Sequence, residues 1–196
     1  HLIYYIDIDY LFSLGNKTID VAFKYGARID KVLPVGSMFM EYYWFNKPKP
    51  INKNIDVIML GLNIMNAYER EDKYNGFMDD YYNSIRWLVR FKEEYPDYRV
   101  VIKHHPSAGV DNIEEEILLG SGIEILPKDN SCGNSYQSAF NSRCVVTYGS
   151  TMGYEMIAHG VPTFFLDPEL RNCFLPEPDD NLLDGIRLAT YDSFRD

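Results

Sequence analysis

Apolar residues follow two rhythms along this chain. Short, nearly continuous apolar runs recur at IDVIMLGL (55–62), YRVVIKHHP (98–106), IEILPK (123–128), RCVVTYG (143–149) and VPTFFLD (161–167). Runs of that length and continuity predict strands buried on both faces. Between them, apolar positions fall three and four apart. DDYYNSIRWLVRFKEEY (79–95) places Tyr81, Ile85, Leu88 and Val89 on one helical face, with Asp79 as the expected N-cap and Pro96 as the stop. NIEEEILLGSG (112–122) predicts a short helix halted by glycine. SYQSAFNS (135–142), STMGYEMIAHG (150–160) and DDNLLDGIRLA (179–189) complete the predicted helices.

The first quarter of the chain carries a smaller version of the same alternation. LIYYIDIDYLF (2–12) is rich in β-formers, NKTIDVAFKYGA (16–27) has Ile19, Ala22, Phe23 and Ala27 near helical spacing, and KVLPVG (31–36) is extended again. This predicts one βαβ unit. WFNKPKPINKN (44–54) breaks the rhythm with two prolines and three lysines among asparagines, the composition of a linker. The expected organisation is a partial domain over 1–46, a linker over 47–54 and a second domain over 55–196. The aromatic cluster Tyr42, Tyr43, Trp44 and Phe45 just before the linker reads as interdomain packing.

Strand–helix alternation with continuously apolar strands implies an α/β fold, a Rossmann-like parallel sheet with helices on both faces. Ligands in such sheets sit beyond the carboxyl ends of the strands, near the topological switch point. That rule selects one rim: Gly61-Leu62-Asn63, Lys103-His104-His105-Pro106, Lys128-Asp129-Asn130-Ser131, Tyr148-Gly149-Ser150-Thr151 and Asp167-Pro168.

Composition narrows the partners. With 196 residues, 46% apolar and 15% aromatic, the chain can bury a sizeable core. Its net charge of −10 lacks the basic footprint of a nucleic-acid binder, yet leaves room for a local pocket for a phosphorylated ligand. Three cysteines, Cys132, Cys144 and Cys173, without CxxC spacing, read as reduced thiols rather than a disulfide framework or a zinc ribbon. No apolar run approaches the roughly 18 residues of a membrane span, and no signal peptide opens the chain. The expected location is the cytoplasm, with membrane association on the cytoplasmic face through regions outside this sequence. The chain begins with His1 rather than Met, which suggests a piece of a longer protein lacking residues on at least its N-terminal side.

Each candidate on the rim has a functional and a structural reading. Pro106 keeps His105 extended, and an imidazole with a reference pKa near 6.5 can donate to a phosphate or protonate a leaving group. Alternation along the strand turns His105, rather than His104, toward the ligand. The structural reading is two polar residues leaving a strand, with Lys103 beside them. Gly149-Ser150-Thr151-Met152-Gly153 stands where a strand hands over to a helix, and the unpaired N–H groups of a helix start attract anions. Its structural reading is plain N-capping by Ser150 or Thr151. Neither GxxxxGK[ST] nor GxGxxG occurs, which excludes a P-loop and the dinucleotide fingerprint. Glu155, one turn into that helix, is placed to take a ribose hydroxyl pair or is a solvated helix glutamate. Asp129, Asn130 and Ser131 suit a ligand rim but also suit turn and capping chemistry. No carboxylate or His/Cys spacing suggests a metal.

Taken in order, KHHP, then ILPKDNS, then VVTYGSTMGYEMIAHGVPTFFLD resemble the C-terminal donor-binding domain of GT-B glycosyltransferases. Within that superfamily they are most similar to the bacterial surface-polysaccharide group: capsule-type Kdo transferases, CDP-glycerol glycerophosphotransferases and the sialyltransferases with an HP motif and a Ser-Ser/Thr motif. LFSLGNKTIDVAFKYGARIDKVLPVGS resembles the end of the preceding acceptor domain in that group. The resemblance spans roughly residues 8–170. It implies that His105-Pro106 is the HP motif, with the catalytic histidine on the donor phosphate. It further implies that Ser150-Thr151 binds the same phosphate; Lys103, Gly149 and Gly153 are expected at that phosphate from their place on the rim and the helix start. Glu155 is implied on the ribose, while the rim rule itself makes Gly61, Asn63, Asp129, Asn130 and Ser131 the candidates around the ribose and base. The implied activity is metal-independent glycosyl or glycerophosphoryl transfer in surface-polysaccharide synthesis. The donor would be a nucleotide-sugar or CDP-glycerol, CMP- or CDP-linked, and is a substrate rather than a cofactor. The acceptor would be a saccharide or lipid-linked saccharide. Met156 and His159 depart from the small apolar residues usual at their positions, and the base that activates the acceptor is not identified, Asp7 and Asp9 having no supporting motif. Two alternatives stand beside this reading: a non-catalytic nucleotide-sugar-binding or assembly module, and a GT-B-like sugar-nucleotide epimerase.

Overall fold

The computed structural model describes residues 7–13, 23, 26–46, 52–62, 76–106, 111–127, 132–170 and 185–196. The chain divides into two compact units, His1–Lys47 and Pro48–Asp196, at the first peptide bond inside the proline-lysine stretch.

In the first unit, β1 (Asp7–Ser13) pairs in parallel with β2 (Arg28–Pro34). Both amides after β2, Val35 and Gly36, donate to the Ser13 carbonyl, at 3.0 and 3.2 Å. Gly36 takes φ 78°, and Ser37 then caps helix α1 (Met38–Phe45), its hydroxyl accepting from the Met40 amide. The aromatic residues Tyr42, Tyr43, Trp44 and Phe45 lie on this helix. Of the helix predicted over 16–27, all but Phe23, Gly26 and Ala27 lie outside the described residues; Phe23 is helical.

The second unit holds β3 (Ile55–Leu60), α2 (Phe77–Glu94), β4 (Val100–Lys103), α3 (Asn112–Leu118), β5 (Glu124–Leu126), α4 (Cys132–Phe140), β6 (Ser142–Thr147), α5 (Thr151–Ala158), β7 (Thr163–Leu166), β8 (Arg187–Leu188) and α6 (Tyr191–Arg195). Its six strands form one parallel sheet in the order β5-β4-β3-β6-β7-β8. The chain runs outward from β3 through β4 and β5, then returns to β6 on the other side of β3 and runs outward again. This is the doubly wound order of Rossmann-like folds, and it puts the switch point between β3 and β6.

The period of two along each strand sorts the core into two layers. Val57, Met59, Val100, Ile102, Val146, Tyr148, Leu166 and Leu188 share one cluster with Phe77, Met78, Tyr81, Tyr82, Ile85, Leu88 and Phe91 of α2. The alternate residue Phe165 meets α5 on the opposite face, where Tyr154 stacks on it at 4.7 Å. Complete burial of one Leu or Phe contributes about 1.5–3 kcal/mol, so α2 is held by packing more than by propensity.

Two local expectations are corrected. The segment 179–189 does not read as helix where it is described: Arg187 and Leu188 form β8, hydrogen-bonded in parallel beside Phe165 and Leu166. Residues 179–184 lie outside the described set. Helix α2 starts earlier than expected and has Gly76, at φ 85°, as N-cap without a side-chain bond; Asp79 sits exposed in the first turn. The end of the chain, Tyr191–Arg195, is helical, started by a Thr190–Ser193 capping box.

Candidate functional site

The switch point is closed by one hydroxyl. Leu60, the last residue of β3, is in register with Thr147, the last residue of β6. Thr147 Oγ1 donates to the Leu60 carbonyl at 3.1 Å and accepts from the amides of Gly149 and Ser150, at 3.3 and 3.0 Å. A threonine hydroxyl has one proton and two lone pairs, and all three are used. The turn into α5 is thereby tied to β3, and Thr147 itself is buried. Ser150 has the extended backbone of an N-cap but makes no side-chain capping bond. Plain capping therefore does not account for its hydroxyl. Ser150 and Gly149 are partly exposed and Thr151 is exposed, on the rim the sequence selects.

Gly61 continues β3 beyond Leu60. Its amide donates to the Lys103 carbonyl at 3.0 Å, and a Cβ on it would lie 3.4 Å from the His104 Cα. The rim is thus closely built where β3 meets β4. Beneath it, Tyr148 is fully buried and stacks near Phe77 and Tyr81, at 5.0 and 6.1 Å.

At the end of β4, the two histidines differ. His104 Nδ1 lies 3.8 Å from the Glu114 carboxylate of α3. His105 is partly buried beside Pro106, and that burial lowers its imidazole pKa from the ordinary 6.5. Lys103 is 4% exposed, and its ammonium donates to the Pro127 carbonyl at 2.5 Å. This side chain therefore clips β4 to the end of β5; the contact assigned to it is structural rather than with a ligand.

Gly153 is also a packing residue. A Cβ there would come within 2.9 Å of Phe165 Cζ and of Thr147 Cγ2, so its hydrogen lets α5 lie down on β6 and β7. Glu155 accepts a hydrogen bond from the Tyr136 hydroxyl of α4. It is partly buried, which distinguishes it from a freely solvated helix glutamate. Asn63, Asp129, Asn130 and Ser131 lie outside the described residues.

Farther along the rim, β7 is followed by Asp167, which is fully buried and paired with Arg187 of β8. Arg187 Nε donates to Asp167 Oδ2 at 2.6 Å. The turn that follows, Pro168–Leu170, puts Glu169 and Leu170 at φ 66° and 54°, and Arg187 Nη2 donates to the Leu170 carbonyl at 3.4 Å. Two consecutive non-glycine residues in the left-handed region cost of order 1–3 kcal/mol each and persist only where surrounding contacts enforce them. The ion pair is such a contact.

The described residues thus place Gly61, His105, Pro106, Gly149, Ser150, Thr151 and Glu155 on or beside the carboxyl rim of β3, β4 and β6. Sequence reasoning missed Thr147, Glu114, Tyr136 and the Asp167–Arg187 pair. The hydroxyl two residues before Gly149 was the available signal for Thr147; the other three depend on partners 10 to 20 or more residues away. Among the described residues no group of three or more His, Cys, Asp or Glu side chains is arranged to hold a metal ion. None of their helices is long and apolar enough to cross a membrane. Cys144 is a free thiol, and burial pushes its pKa up to about 12. The chain matches no family model, and no curated protein is significantly similar to it.

Proposed function

We propose that residues 48–196 form the nucleotide-donor-binding domain of a metal-independent GT-B-type transferase. Its donor would be linked to CMP or CDP, and it would act in synthesis of a bacterial surface polysaccharide. One observation carries the reading. At the switch point of a doubly wound sheet, Thr147 holds a Gly-Ser-Thr turn open at the start of α5, and β4, on the other side of β3, runs out into His105-Pro106. The switch point is where such folds bind ligands, and a helix start with donors facing outward suits a phosphate.

In the proposed chemistry the bond between the transferred group and the donor phosphate breaks, and its electron pair passes to the departing phosphate oxygen. The acceptor hydroxyl forms the new bond and gives its proton to a base that these residues do not identify. His105 donates to the departing phosphate, and the Ser150 and Thr151 hydroxyls with the Thr151 amide share its charge. Donors fixed before the reaction stabilise charge as it builds without reorganising. Glu155, held by Tyr136, takes the ribose hydroxyls.

Calorimetric titration of the 196-residue chain with CMP, CDP, UDP, GDP and ADP, with EDTA present, tests this reading. Cytidine nucleotides should bind most tightly, with Kd between about 1 μM and 1 mM. Equal binding of all five, or none, removes the cytidine assignment; a strict requirement for magnesium removes the role given to His105 and the helix start.

A further inference from the structure

Behind the rim lies a group of buried polar side chains that the donor contacts above do not use. Glu114 of α3 is 1% exposed. Its Oε1 accepts from the Tyr81 hydroxyl of α2 at 3.4 Å and lies 3.8 Å from His104 Nδ1, an ion-pair distance rather than a hydrogen bond. Beside it, Asp111 caps α3 by accepting from the amides of Ile113 and Glu114, and accepts from the Tyr82 hydroxyl at 2.8 Å. The Tyr81 hydroxyl also sits 3.5 Å from where a Gly61 Cβ would be, so the group reaches the underside of the β3 end. The titratable groups around His104 are therefore Glu114 and Asp111 from α3, Tyr81 and Tyr82 from α2, and its neighbours Lys103 and His105 on its own strand. Of these, Lys103 is directed away to Pro127.

Two adjacent imidazoles are chemically equivalent, and a strand end could present either one to the rim. A carboxylate removed from water needs a positive or proton-sharing partner, and His104 stands at ion-pair distance from one. Successive side chains of an extended segment point to opposite sides. Holding His104 against α3 therefore commits His105 to the other side. We propose that Glu114 is a positioning residue: it captures His104 and so decides which of the two histidines faces the rim. The identity of the rim ligand rests on the donor-domain reading; the capture of His104 does not.

Two measurements on the full chain test this. In ring-nitrogen NMR titrations, Glu114→Gln should lower the His104 midpoint by about one pH unit, the lower end of the effect of an adjacent opposite charge. With CMP as the probe, His105→Ala should weaken binding about tenfold or more when Glu114 is present. In the Glu114→Gln background, where His104 is free to compete for the phosphate, the same change should cost less than about threefold. Loss of packing alone would leave the two effects additive. An unchanged His104 midpoint, or an equal His105→Ala loss in both backgrounds, overturns the proposal. If Glu114→Gln does not fold, Glu114→Asp, with its carboxylate drawn back by one methylene, must lower the midpoint by a smaller amount. If the unmodified chain binds no CMP, the donor reading fails, and the His104 midpoint alone decides whether Glu114 holds that ring.

Discussion

His105 and His104 share a residue type and differ in surroundings. Burial lowers the His105 pKa below 6.5, so the folded chain holds its ring neutral at a pH where the unfolded chain protonates it. The sign follows from linkage: between the folded and unfolded pKa values the unfolded state binds more protons, and stability rises with pH. The contribution of this group is complete above about 6.5 and is lost as pH falls through the lower folded value. Replacing His105 by Ala removes that loss. The stability of His105→Ala relative to the parent chain should therefore improve between pH 7.5 and pH 5, measured by urea unfolding. A difference constant over that range would mean that His105 is solvated like a free histidine. Bound CMP should act in the opposite direction on the ring, raising its NMR midpoint, because a phosphate favours the charged imidazole.

At the scale of elements, the seating of α5 on the sheet sets the height of the Gly-Ser-Thr turn above the switch point. Gly153 makes that seating possible, since a Cβ there would overlap the Phe165 ring and the Thr147 methyl at 2.9 Å. Neither neighbour is free to yield: Phe165 is fully buried, and Thr147 is held through its hydroxyl by three backbone groups. Gly153→Ala would gain about 1 kcal/mol of helix propensity. Overpacking costs about 1–3 kcal/mol and should win, because the atoms that must move are buried. Urea unfolding of Gly153→Ala should show a lower midpoint with an unchanged slope. A midpoint equal to or above that of the parent would show that α5 can lift off the sheet without penalty. Nucleotide affinity should fall with it, since displacing α5 moves the Ser150-Thr151 donors.

For the whole molecule, the distribution of buried side chains decides what folds as a unit. Among the described residues the largest fully buried ones, from Ile58 through Tyr81, Ile102, Phe140 and Tyr148 to Leu166, all belong to Pro48–Asp196. The described part of the first unit contributes a two-stranded sheet and a helix whose Met38, Trp44 and Phe45 are exposed. A two-stranded sheet is marginal by itself, whereas a six-stranded sheet packed on both faces is not. Residues 48–196 expressed alone should therefore unfold cooperatively, at the same urea midpoint as the main transition of the full chain. Failure to fold, or a clear loss of midpoint, would show that the first unit stabilises the second.

The sequence by itself determined five of the six strands of the second unit and the buried face of α2, because burial on both faces of β3, β4, β6 and β7, or on one face of a helix, writes its period into adjacent residues; β5, expected to be buried likewise, is a three-residue edge strand with Glu124 and Ile125 exposed. It also determined which residues stand at the strand ends, since Gly61, Pro106 and Gly149 interrupt the apolar runs locally. Tertiary structure alone decided which strands are neighbours. The pairing of Leu60 with Thr147 joins residues 87 apart, and nothing near either one encodes it. The two-residue β8 exists only because β7 offers it a partner, which is why its segment read as helix. Lys103 read as a phosphate contact until its burial and its bond to the Pro127 carbonyl showed it clipping β4 to β5, and Gly153 read as a ligand contact until Phe165 and Thr147 filled the space around it. Local periodicity reports how much of a residue is buried; only the packed fold decides against what.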